Sequence, residues 1–306
     1  MVDGTEVVVA DGRLNLLEAL RDVVGVKTAK DGCSPQGQCG CCTVWVDGAP
    51  RVACVTPVKR VAGRVVTTLD GLDPDLRRAW AEAFTDSGAS QCGFCTPGII
   101  MRLAALGHRR EVVDEAAVRS ALLAHLCRCT GWTSILEAAA RIYGPGDGAA
   151  PPVSSASPSS APAARDLAAA ARRAEIEGGV AQAVGPAVAL GGGGFADDTA
   201  PDDALVAVPD GAGGWVVAET LYEARAAAGK VQGRNSTVAV SPPLEVPVGD
   251  WALRWRTSFL EPGYLEPDAS WCRPGGEPAG PLANGGAFGG KTTSPVAAAA
   301  RRLADT

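Results

Sequence analysis

Eight of the ten cysteines fall in the first 130 residues, in two groups of four, and each group is spaced to draw the chain around a metal. The first is Cys33, Cys39, Cys42 and Cys54, spaced C-x5-C-x2-C-x11-C. The second is Cys92, Cys95, Cys127 and Cys129, spaced C-x2-C-x31-C-x-C. Thiolates are soft ligands, and four of them meeting at one place suit zinc or an iron–sulfur cluster far better than a hard cation. A fold built on this chain must bring four distant sulfurs together twice. Two such sets close together point to a pair of redox centres.

Composition narrows the setting. The net charge of -6 argues against nucleic acid as a partner, and 46% apolar with 20% charged residues is ordinary for a globular chain of 306 residues. No run nears 18 apolar residues, so no membrane span is expected. The opening MVDGTEVVVADGR carries acidic residues where a secretory leader would be basic, which predicts a cytoplasmic protein. In a reducing compartment, ten cysteines are better explained by metal than by disulfides.

Periodicity predicts an α+β chain. Thr5–Ala10 and Thr43–Val46 suit strands, and Asp47-Gly48 suits a hairpin turn leading into Arg51–Cys54. Between them, Leu16, Leu17, Leu20, Val23 and Val24 recur at helical spacing. Beyond Leu72 the pattern becomes helical. Asp73-Pro74 starts one helix, Thr96-Pro97 a second, Asp114 caps a third and Gly131 opens a fourth. The glycine-rich loop DGCSPQGQCGCCTV suits a cluster, because a loop wrapping sulfur needs backbone N–H groups turned inward. Zinc is the competing reading. It favours two C-x2-C knuckles 15–20 residues apart, and the three-cysteine loop fits that pattern poorly.

With these segments side by side, GCSPQGQCGCCTVWVDGAPRVAC, QCGFCTPGIIM and LCRCTGWTSI resemble the iron–sulfur subunit of the xanthine dehydrogenase, aldehyde oxidase and carbon monoxide dehydrogenase family of molybdenum hydroxylases, over about residues 5–143. The resemblance implies a β-grasp ferredoxin-like domain at 1–72 and a four-helix domain at 73–143, each holding one 2Fe–2S cluster. It implies two partner chains: an FAD-binding subunit, nearer the ferredoxin-type cluster, and a molybdopterin-binding subunit, nearer the helical-domain cluster. It places Gln91 and Cys129 against the pterin. The chain departs from the family twice: the first gap has five residues where four are usual, and Cys41 stands where alanine is usual. Either Cys39 or Cys41 is then open as the second ligand, and Cys39 keeps the x2 spacing.

Residues 144–164, GPGDGAAPPVSSASPSSAPAA, are too poor in large apolar groups to pack and form the expected linker. Beyond it, 165–306 suggest a helix at Arg165–Glu177, strands at Ala204–Val208 and Trp215–Ala218, a helix at Thr220–Lys230 and an alternating strand at Trp251–Phe259. Gly285–Thr292 fits G-x4-G-K-[ST] on paper, but no apolar strand precedes it and only 14 residues follow. NGGAFGGK instead resembles a loop of the molybdopterin-binding subunit, and so implies Gly285, Gly286, Phe288 and Gly289 as cofactor contacts. Phe259–Asp268 and, more weakly, 204–250 resemble other parts of that subunit, including its a/b hammerhead. No segment carries that subunit's glutamate base, and the simpler reading of Glu261 and Glu266 is surface or turn carboxylates. Cys272 reads as a packed thiol. The expected function is electron transfer from molybdopterin to FAD on partner chains, with hydroxylation on a partner. A free-standing 2Fe–2S carrier with an adaptor domain and a zinc-stabilised interaction module are the alternatives.

Overall fold

The structure is a computed structural model and describes residues 1–33, 35–109, 112–144, 166–176, 183–229, 246–255, 265–279 and 294–306. The N-terminal unit is built around a short antiparallel sheet. Strand β1 (Thr43–Val46) is central, between β2 (Ala49–Val52) and β3 (Val66–Thr67). Asp47 and Gly48 both take positive φ, 49° and 72°, so the hairpin closes in two residues with Val46 opposite Ala49. Cys54 lies beyond the hairpin, in a 3-10 turn at Ala53–Val55.

Helix α1 (Leu16–Glu18) is opened by a reciprocal cap, in which the Asn15 side chain accepts from the Glu18 amide and Glu18 accepts from the Asn15 amide. It runs on as a π-turn through Ala19–Val24 and ends at Gly25, φ 83°. The expected strand at Thr5–Ala10 does not form. Only Val2 and Thr5 make bridges there, and Val8 is 84% exposed, because no strand edge is offered to this segment.

The four expected helices are all present: α2 (Pro74–Asp86), α3 (Thr96–Arg109), α4 (Glu115–Ala121) and α5 (Gly131–Tyr143). Asp73 and Asp114 accept amide hydrogen bonds at the starts of α2 and α4, as their positions predict. α3 lies across β1 and also meets α4, while α5 packs on α2. Trp45 joins the sheet to the helices, donating from Nε1 to the Met101 carbonyl at 2.7 Å. Leu126 lies past the end of α4 and is exposed. One apolar core runs through sheet and helices. It contains Cys33, Cys39, Cys42, Cys54 and Cys95, and Cys92 and Cys127 pack against it.

Of the later part, α6 (Leu167–Ile176) falls where expected. Two short helices follow that the pattern did not predict, α7 (Pro186–Ala189) and α8 (Ala196–Thr199). Strands β4 (Val206–Pro209) and β5 (Trp215–Ala218) and helix α9 (Leu221–Ala228) lie at their expected places, and among the described residues β4 and β5 pair only with each other. A further helix not predicted, α10 (Val296–Ala304), comes last. Residues 251–255 form no strand. Trp251 and Trp255 are exposed, with no neighbouring strand among the described residues, and 256–259 lie outside them. The linker residues from 145, and Glu261, Gly285, Gly286, Phe288 and Gly289, also lie outside them. Among the described residues, no helix is long and apolar enough to cross a membrane.

Candidate metal centres

The first quartet is gathered by the loop before β1 and the turn after β2. Cys33, Cys39, Cys42 and Cys54 are each at most 6% exposed. Their sulfurs lie close enough to act on one another in series, Cys39 on Cys33, Cys33 on Cys54 and Cys54 on Cys42. Backbone amides point at the sulfurs: Gln36 to Cys33 Sγ at 3.3 Å and Cys54 to Cys42 Sγ at 3.4 Å. These donors stabilise negative charge on sulfur, which a metal-bound thiolate carries.

The loop owes its shape to Gly40, at φ 73°. A Cβ there would stand 2.4 Å from the His125 ring and 2.8 Å from the Ala124 carbonyl. His125 is buried and packs over the loop. The Thr43 hydroxyl donates to the Gly40 carbonyl at 2.7 Å. His125 Nε2, 3.0 Å from that hydroxyl oxygen, therefore carries the proton and donates. Burial lowers the His125 pKa to about 4, and the ring is neutral at pH 7. Sequence reasoning passed over this residue, whose only signal is its place two residues before Cys127.

The second quartet lies at the start of α3 and between α4 and α5. Cys95 is buried, and Cys92, Cys127 and Cys129 are half-buried. The sulfurs form two pairs, Cys92 with Cys129 at 3.5 Å and Cys95 with Cys127. The Phe94 amide points at Cys92 Sγ at 3.5 Å, and the Thr130 hydroxyl lies 3.2 Å from Cys127 Sγ.

Neighbouring sulfurs move each other's acidity in opposite directions. The hydrogen bond from Cys95 draws the Cys127 thiol down to about 5, against the upward push of burial. Cys95 is raised by the same contact and by burial. In the first quartet, Cys39 and Cys54 both hold Cys33 well below the ordinary thiol range and are themselves raised. A metal bound here meets sulfurs that the folded chain has already gathered.

Both donor sets are four cysteine sulfurs, which suit a soft metal or an iron–sulfur cluster. Among the described residues, no three His, Cys, Asp or Glu side chains close on one point. Cys41 is buried too, with its sulfur against Cys39 and 3.8 Å from the Cys39 carbonyl. Cys39 is the sulfur that acts on Cys33. Gln91, beside Cys92, is exposed. Cys272 lies in a separate turn, 3.2 Å and 3.3 Å from the Arg273 and Gly276 carbonyls. Glu266, expected at a surface or turn, is 4% exposed and close enough to Cys129 to act on it electrostatically. Its neighbour Leu265 packs in the core and carries it inward.

The two quartets are directly joined. The Leu126 amide, one residue before Cys127, donates to the Cys39 carbonyl at 2.9 Å. Gly98 of α3 lies against the Gly40 carbonyl so closely that an added Cβ would be 2.2 Å from it.

Residues 68–140 match the model of the 2Fe–2S binding domain family. The chain is 35% identical over 129 residues to the nicotinate dehydrogenase small FeS subunit of Eubacterium barkeri, covering 42% of this chain and 82% of that one. It is 37% identical over 131 residues to the nicotine 6-hydroxylase small subunit of Paenarthrobacter nicotinovorans, covering 43% and 79%. It is also 38% identical over 132 residues to the much longer aldehyde oxidoreductase of Megalodesulfovibrio gigas, covering 42% and 14%. With likeness of that degree over most of both small subunits, the chain belongs to the family of iron–sulfur subunits of the xanthine dehydrogenase-type molybdenum hydroxylases.

Proposed function

We propose that this chain holds two 2Fe–2S clusters and conducts electrons between a molybdopterin-bearing partner and an FAD-bearing partner. Cys33, Cys39, Cys42 and Cys54 hold one cluster, and Cys92, Cys95, Cys127 and Cys129 the other. The observation that carries the reading is the pair of all-sulfur quartets joined through one hydrogen bond from Leu126 to Cys39. When bound, each cluster accepts and releases one electron at a time.

The chain's own residues then do three things. The amides of Gln36, Cys54 and Phe94 stabilise charge on sulfur. Burial of the first quartet keeps water from its sulfurs. The Cys39 carbonyl and Leu126 amide give a short bonded route from one quartet to the other. The half-buried Cys129 and exposed Gln91 leave the second quartet's outer edge for the molybdopterin-bearing partner. Residues 165–306 are read as a docked portion of the molybdopterin-subunit type, and the unit boundaries as 1–72, 73–143 and 144–164.

Anaerobically purified protein is expected to contain about four irons and four labile sulfides and to give two distinct EPR signals on reduction. Cys92→Ala should remove one signal and Cys39→Ala the other, whereas Cys41→Ala should keep both. Colourless protein with stoichiometric zinc would overturn the reading.

A further inference from the structure

The N-terminal unit carries two cations that make little sense without the rest of the chain. Lys30 is 2% exposed and Arg21 7%. An ammonium or guanidinium that deep is stable only when paired. Their carboxylate partners come from α8. Arg21 Nη2 lies 2.7 Å from Asp197 Oδ2 and 3.0 Å from Asp198 Oδ1, and Lys30 Nζ pairs with Asp198 Oδ2. Lys30 also donates to the Gly191 carbonyl at 3.0 Å. A third pair, Arg225 with Asp31 at 2.8 Å, ties α9 to the same unit.

The backbones meet as closely as the charges. A Cβ on Gly93, between Cys92 and Phe94, would be 2.2 Å from the Val188 carbonyl. One on Gly193 would be 2.6 Å from the Cys92 carbonyl. Phe195 is buried, edge-on to Phe94 with ring centres 5.1 Å apart, and Lys30 Nζ lies 5.1 Å from its ring centre. Val188 and Ala189 are buried where α7 meets α2. Glycine on both sides, a ring against a ring and carboxylates over buried cations make a matched surface.

We propose that residues 186–199, with Arg225, form an in-chain clasp that fastens the C-terminal unit to the cluster-bearing unit and seals the Cys92–Cys95 loop from water. The sealing part rests on the cluster assignment above; the fastening part does not. Held on both sides of Gly93, the loop keeps the Phe94 amide aimed at Cys92 and lets no solvent in behind it. Releasing the clasp would expose Phe94, Lys30 and the inner side of the second quartet together.

The test uses the full holo-chain with a protease site placed in the run 151–164, cut after purification. The two pieces are expected to co-elute on size exclusion at physiological salt. Asp198→Ala should weaken their association by about a hundred-fold, because it strips a buried cation of its partner. Adding Lys30→Met to Asp198→Ala should restore co-elution by removing the stranded charge. In air, the EPR signal lost in Cys92→Ala should decay several-fold faster in Asp198→Ala, with the other signal unchanged. Separation of the wild-type pieces, full association of Asp198→Ala, or no restoration by Lys30→Met would each overturn the clasp. Pieces that co-elute without iron would sink the cluster reading and leave the fastening intact. Equal decay of both signals would overturn the sealing.

Discussion

Cys39 and Leu126 show how much rests on single main-chain atoms here. The Cys39 carbonyl accepts the Leu126 amide at 2.9 Å, and the Gly40 carbonyl next to it accepts both the Thr43 hydroxyl and the Thr43 amide. Gly98 is pressed against that same Gly40 carbonyl with no side chain between. Neither atom at this contact belongs to a flexible side chain, so an added methyl must move α3 or the cysteine loop. Gly98→Ala is therefore expected to cost about 1–3 kcal/mol in urea unfolding. It should also lower iron occupancy of the first quartet more than of the second. Thr43 offers a complementary prediction. Thr43→Val keeps the shape but takes one partner each from His125 Nε2 and the Gly40 carbonyl, at a cost of about 1–3 kcal/mol by the same measurement.

Among the elements, α4 is the least self-sufficient of the helices that frame the second quartet. It spans Glu115–Ala121, and a helix of that length is not stable alone. The Asp114 side chain accepts from the Ala117 amide at 2.7 Å, and Ala117, Val118 and Ala121 are buried. Asp114→Ala should cost about 1 kcal/mol in chemical unfolding. Because α4 leads into Cys127, amide exchange at 122–127 should rise with it while that of β1 stays unchanged. The contrast with α1 is informative. Its apolar spacing was legible as a helix, but the π-turn at Ala19–Val24 and the stop at Gly25 were not, because periodicity does not distinguish one hydrogen-bond register from another.

On the scale of the molecule, one core joins sheet and helices and includes sulfurs of both quartets. Metal binding and folding are then linked, since whatever binds only the native quartets stabilises the native state. Protein stripped of iron by a chelator under reducing conditions is expected to melt at least about 5 °C lower than the loaded protein, by calorimetry. The sign with pH follows from proton competition. Ligand thiols must lose protons to bind metal, so that stabilisation is full at neutral pH and weakens as pH falls. Equal melting temperatures for the two forms would mean the quartets are not filled in the native protein.

The sequence by itself determined the candidate ligands and the local signals around them: eight cysteines at two spacings, glycines in the loops beside them, and helix starts marked by Asp73 and Asp114. Those signals are local, because ligand spacing, caps and turns depend on residues close along the chain. The failures were non-local. Thr5–Ala10 and the described part, 251–255, of the expected strand at Trp251–Phe259 have strand-like patterns but meet no partner strand among the described residues, and a strand exists only where another edge offers hydrogen bonds. Only the tertiary structure decided that Cys39 rather than Cys41 acts on Cys33, because the two thiols differ in direction and not in type. It alone showed that Leu126 links the two quartets. It also paired Lys30 and Arg21 with Asp198 and Asp197 across more than 160 residues of chain. A buried charge declares its partner only when the chain has folded back to supply one.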